Sequence, residues 1–265
     1  SEEVAGRVNQ VYGGGYLDLT PPIAMARASY TNRLQLLAGI FDYEGGRTVP
    51  FGEARYWRQE PGLYTGSVGI RSTEGAIDLW SPAGGEFALR LTQFDVRAST
   101  ASVLPDSLLR LAGVFAYNIV TDNFGSPTNG AGTNQGTSIT LDAGYRILPH
   151  TYLGVNYFQL SYRTTVDIYF SPRNFQTYTG WLEYEREYGD KWYLRVRGSV
   201  GAVARSNGFI ARRLEADLIY RFARRWSINI ASSIGQSTRT LGNESAAVED
   251  RYNTFIFAGQ LYWTL

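Results

Sequence analysis

The chain has 265 residues, with 25 basic and 24 acidic side chains, so its formal charge of +1 gives neither the basic field of a nucleic-acid binder nor an acidic tail. The absence of cysteine excludes disulfides and cysteine-based metal sites. With 29 glycines and 14% aromatic residues in short segments bounded by Gly, Pro, Asn or Asp, the composition is one of strands and turns.

No stretch of about 18 apolar residues exists, so a membrane-crossing helix is ruled out and only strands could span a bilayer. The start Ser-Glu-Glu is that expected of a mature protein or of a domain cut from a longer one. Residues 1–12 are expected as a periplasmic arm or short helix, and 13–265 as a single β-domain. Gly13-Gly14-Gly15 is not followed by Lys-Ser/Thr and a helix, so it is taken as a flexible connection rather than a phosphate loop. Tyr16 to Leu19 is a further strand candidate ahead of Pro21-Pro22.

Strands are expected near 22–31, 33–44, 51–59, 62–72, 75–80 and 86–98, and more plainly at 107–120, 137–148, 151–164, 174–188, 192–205, 209–222, 226–238 and 251–265. That is about 14, within a range of about 12–16, and many are longer than the usual strand of globular sheets. Tight turns at Pro149-His150, Gly189-Asp190-Lys191 and Ala223-Arg224-Arg225 alternate with longer connections at 121–136, 165–173 and 239–250. Ser206-Asn207-Gly208 is a short exception. Short periplasmic turns alternating with longer external loops make a transmembrane barrel pattern, with both termini periplasmic.

Alternation assigns the faces. Leu194, Val196, Leu214, Leu218, Phe255 and Phe257 share an apolar side, and Arg195, Arg197, Arg213, Glu215 and Asp217 the other. Tyr188, Trp192, Phe222, Trp226 and Trp263 fall on the apolar side at one rim, where a periplasmic aromatic girdle belongs. A three-residue turn at 189–191 sets Glu185 opposite Arg195 and Glu183 opposite Arg197. A three-residue turn at 206–208 would then set Arg197 opposite Asp217, giving a row Glu183–Arg197–Asp217. Trp181 and Tyr193 have the parity of lumen aromatics. The row serves either as a ladder that satisfies charges inside a filled barrel or as a hydrophilic track.

His150, the only histidine, stands at the periplasmic rim, away from where an outer-membrane hydrolase would need it, so no enzyme is expected. The same pattern suggests no cofactor, no metal and no nucleic-acid partner. Asn243-Glu244-Ser245 matches a glycosylation sequon without consequence in a bacterium.

The ending Phe257-Ala-Gly-Gln-Leu-Tyr-Trp-Thr-Leu265 resembles the C-terminal targeting signal of outer-membrane proteins, which implies outer-membrane lipid around the chain and the barrel assembly machinery as partner. Trp263 matches the aromatic third from the end, and Leu265 departs from the usual terminal Phe. The segment Ile168-Tyr169-Phe170-Ser171-Pro172-Arg173-Asn174-Phe175 resembles one in the C-terminal barrels of exopolysaccharide exporters, the cellulose-type outer-membrane porins. Those carry tetratricopeptide repeats, which this chain lacks. The resemblance implies an external loop motif, export of a polysaccharide and a periplasmic export partner. A general or substrate-selective porin, or a scaffold barrel with a plugged lumen, is the alternative.

Overall fold

A computed structural model describes residues 8–21, 30–43, 47–60, 63–74, 89–100, 108–122, 133–165, 172–204, 210–223, 226–241 and 248–263. These hold β1 (Val8–Asp18), β2 (Thr31–Tyr43), β3 (Arg47–Glu60), β4 (Tyr64–Glu74), β5 (Leu89–Ser99), β6 (Leu109–Asp122) and β7 (Asn134–Leu148). The remainder are β8 (Thr151–Tyr162), β9 (Phe175–Tyr188), β10 (Trp192–Val203), β11 (Ile210–Ala223), β12 (Trp226–Leu241) and β13 (Val248–Trp263). The fold is all-β, and the strands neighbour one another in chain order through a 13-stranded antiparallel sheet. They run from 11 to 16 residues, enough for the 9–11 or so that cross a hydrocarbon layer plus extensions at the rims.

Several expectations change. β1 begins at Val8, inside the stretch expected as an arm or helix, and Gly13 to Gly15 pair with Ala38, Leu37 and Leu36 rather than forming a loose connection. Among the described residues the strands number 13, within the expected range of 12–16. β1 and β13 end the strand order, and no ladder joins them among the described residues. The strands expected at 22–31 and 75–80 fall outside the described residues, save for the start of β2 at Thr31.

The turns divide in the same way. Pro149-His150 joins β7 to β8 with His150 at φ 63°, and Gly189, at φ 59°, opens the turn that pairs Tyr188 with Trp192 as expected. Between β11 and β12, Ala223 rather than Phe222 faces Trp226, through a register shift between Arg221 and Ala223. β12 and β13 stay paired out to Leu241 and Val248, so six of the twelve residues in the connection expected over 239–250 are strand.

The chain divides into two compact units, one of residues 1–105, 112–139 and 160–174, the other of residues 106–111, 140–159 and 175–265. Within each, the period of two sends apolar side chains to one face and charged ones to the other. In the first unit Leu36, Ile40, Val68, Ile70, Phe94, Val96 and Phe115 stand exposed. In the second, Leu141, Leu153, Leu182, Val200 and Ile234 do the same, and Val155 and Phe257 are 64% and 66% exposed. The buried residues instead include Arg55, Asp95 and Glu183. This inverts the soluble pattern, in which large apolar side chains fill the interior.

Candidate functional site

In the first unit, three adjacent ladders bring Gln35, Arg55, Gly69 and Asp95 into one lateral row across β2 to β5. Gly69 is what allows Arg55 to cross β4: a Cβ there would lie 2.7 Å from the guanidinium carbon. Arg55 donates from Nη1 and Nη2 to the two carboxylate oxygens of Asp95 at 2.6 and 2.7 Å. Its Nε donates to Glu53 at 2.7 Å, and Nη1 also to the Ser67 hydroxyl at 3.2 Å. Arg97 Nε donates to Asp95 at 2.8 Å. Both side chains of the central pair are 1% exposed, so this is a desolvated, bidentate ion pair. None of these residues was singled out from the sequence, although each has inward parity in its strand.

Beside this row, Tyr16, Thr31, Arg33, Gln35, Trp57, Gln59 and Thr65 line a cavity of about 250 Å³ on the same face. Trp57 Nε1 donates to Gln35 Oε1 at 3.1 Å, and the Arg33 guanidinium lies 5.2 Å from the centre of the Tyr16 ring.

In the second unit, Glu185 faces Arg195 and Glu183 faces Arg197 across β9 and β10, as the turn predicts. The next ladder departs from expectation. Arg197 faces Glu215, and Asp217 faces Arg195, because the last pair, Ala202 with Ile210, leaves seven residues, 203–209, between them rather than three. The bridging guanidinium is therefore Arg195, which donates to Glu183 and to Asp217, each at 2.9 Å. Arg197 turns to Asp142 on β7 at 2.6 Å and lies 4.1 Å over the Trp181 ring, with Glu183 at 3.7 Å. Arg213 Nε pairs with Glu215 on its own strand at 2.9 Å.

Arg110 on β6 also enters this cluster unannounced by the sequence, donating to Glu183 at 3.0 Å and Glu185 at 2.5 Å across the two intervening strands. Its guanidinium lies 3.6 Å over Tyr152. Strands sit about 4.8 Å apart, so side chains three strands apart meet only where the sheet curls and their shared face is concave. The charged face of the second unit is that concave face. Trp181 belongs to it but does not line a track: it is 3% exposed, lying over Gly144 and Gly154, where a Cβ at either would collide with its ring. Tyr193 lies on the same face between Glu187 and Ile219.

The rim aromatics stand on the apolar face. Trp192 stacks on Tyr220 at 4.1 Å, Phe222 on Trp226 at 6.5 Å, and the Tyr184 and Tyr188 hydroxyls meet at 3.0 Å. Trp263 pairs with Trp226 in the backbone ladder. His150 sits exposed at that rim, edge-on to Tyr184 at 6.4 Å. In the first unit Tyr30 and Tyr64 lie at strand ends, with Arg58 4.7 Å over Tyr30. Of the motif at 169–172, Tyr169, Phe170 and Ser171 lie outside the described residues, and the Pro172 carbonyl accepts from the Tyr162 amide at 2.7 Å.

No family model matches the chain. No curated protein matches it either. Among solved structures, the chain is similar to OmpT of Vibrio cholerae expressed in the outer membrane, at 12% identity and a TM-score of 0.39, covering 100% of this chain and 99% of that one. It is also similar to the trimer form of in-vitro folded OmpT from the same organism, at 11% identity and a TM-score of 0.40, covering 98% and 100%.

Proposed function

We propose that the protein is a bacterial outer-membrane β-barrel, non-enzymatic, whose charged face borders a passage for polar solutes. The observation that carries this is the segregation of the two faces. Left in water, each large apolar side chain of the exposed belt would forgo roughly 1.5–3 kcal/mol of burial, and acyl chains remove that cost. The opposite face holds guanidinium and carboxylate groups that only water or one another could solvate. Aromatic groups at strand ends fit the headgroup level. β13 is the strand for recognition by the barrel assembly machinery. Export of an exopolysaccharide gains no support from the comparisons; its basis is the segment at 169–172.

A second reading, a scaffold barrel with a filled interior, draws on Arg110 and Arg197, whose side chains span the concave face instead of leaving it clear. Planar-bilayer conductance separates the two. Purified protein should give discrete steps whose size scales with salt. Insertion of folded protein without steps would reject the channel and favour the scaffold, whereas spin labels at Val155 and Phe257 that report water in vesicles would reject both.

A further inference from the structure

The cavity between β1 and β4 holds a cation without a close carboxylate. Several others on the charged face are matched: Arg55 with Asp95, Arg110 with Glu183 and Glu185, Arg195 with Asp217, Arg197 with Asp142. Arg33 is exposed, and among the described residues it forms no ion pair. Asp18, its partner across the ladder, is near enough to feel the Arg33 charge but makes its hydrogen bond locally, its Oδ1 accepting from the Thr20 amide at 2.9 Å. Of the seven lining residues Arg33 alone is charged, and among the described residues no carboxylate lines the cavity.

The neighbouring groups narrow the ligand. Trp57 occupies the Gln35 amide oxygen, which leaves the Gln35 nitrogen as a donor, and the Gln59 amide makes no side-chain hydrogen bond among the described residues. Tyr16 and Trp57 add two aromatic surfaces. A volume of about 250 Å³ is below the roughly 300 Å³ at which pockets for drug-sized ligands begin, which suits one small ring within the cavity. A planar fork with several amide donors suits a carboxylate, and aromatic rings beside them suit the C–H face of a sugar.

We propose that this cavity is a binding subsite for a single uronic-acid residue, with Arg33 holding the carboxylate, Gln35 and Gln59 the hydroxyls, and Tyr16 and Trp57 the ring. The inference rests on the charged face being the watered one, as the channel reading has it, but it does not require conduction.

The test is titration of galacturonate, glucose and acetate into the protein in detergent micelles, followed by calorimetry. Galacturonate should bind, and both glucose and acetate should bind at least about tenfold more weakly, the worth of one charge-assisted hydrogen bond. Arg33→Gln should abolish the preference for galacturonate over glucose while keeping the heat-shifted gel band of the folded protein. Gln59→Leu, which removes a neutral amide, should weaken both sugars alike and serves where the first variant does not fold. Equal binding of glucose and galacturonate, equal binding of acetate, or no binding overturns the proposal. Conductance without uronate binding defeats the subsite alone; uronate binding without conductance defeats the channel alone.

Discussion

Removing the Asp95 carboxylate asks whether the interior beside β4 is dry. Asp95→Ala takes away both acceptors of the Arg55 fork and leaves a guanidinium whose side chain is 1% exposed with Glu53 and Ser67 only. Breaking one side of a buried ion pair typically costs about 3–5 kcal/mol; because Arg55 keeps Glu53 at 2.7 Å, the loss here should lie near the lower end, about 3 kcal/mol. The contrast is Glu60→Ala, which breaks the Arg58–Glu60 pair, whose side chains are 42% and 23% exposed; there the expected loss is about 0–1 kcal/mol. Replacing both members, Arg55→Met with Asp95→Leu, should recover part of the loss, since the charges left behind, Glu53 and Arg97, are the more exposed members of the cluster. Urea unfolding of protein refolded into phospholipid vesicles, followed by tryptophan fluorescence, measures all four. A loss for Asp95→Ala as small as that for Glu60→Ala would show water reaching the pair. A double variant no more stable than Asp95→Ala would show that shape rather than charge holds the row.

Three further outcomes follow from the second unit and its apolar face. A double-mutant cycle should find coupling between Arg195 and Asp217 and none above about 0.3–0.5 kcal/mol between Arg197 and Asp217; the reverse would restore the register first expected. Phe257→Arg, on the exposed face midway along β13, should destabilise the vesicle-folded protein by about 2–4 kcal/mol, and a neutral result in urea unfolding would place that face in water. Gly154→Ala should displace the Trp181 ring at a cost of about 1–3 kcal/mol and shift its emission; unchanged stability and emission would refute the close packing.

How far the sequence carried depended on which symmetry a feature obeys. The faces of β9 to β13 were legible because alternation has a period of two, and the β9–β10 register because Gly189 opens a turn whose ends are fixed by Tyr188 and Trp192. The β10–β11 partners were not legible, since a slip of two residues preserves every face while changing every pair. Arg197 thus kept its side and lost Asp217 to Arg195. Trp181 likewise kept its parity, but its burial depends on glycines that lie 37 and 27 positions earlier in the chain, on two other strands. Arg55, Asp95, Arg110 and Asp142 carried a detectable signal, a charge of inward parity in a strand. Their pairing over 40, 73 and 55 positions had none.

The reach of Arg110 also bears on how the second unit avoids misassembly. Between Arg110 on β6 and Glu183 on β9 stand three ladders, each of which could slip by two residues without exposing a single apolar side chain to the wrong face. Each such slip would carry Arg110 about 6–7 Å along the strand direction, beyond the reach of its ion pair. One guanidinium thus reads the sum of three alignments at once and penalises any net slip among them. Burial of the apolar belt can gather the strands in any of these registers; it is the long chord across the concave face that tells them apart.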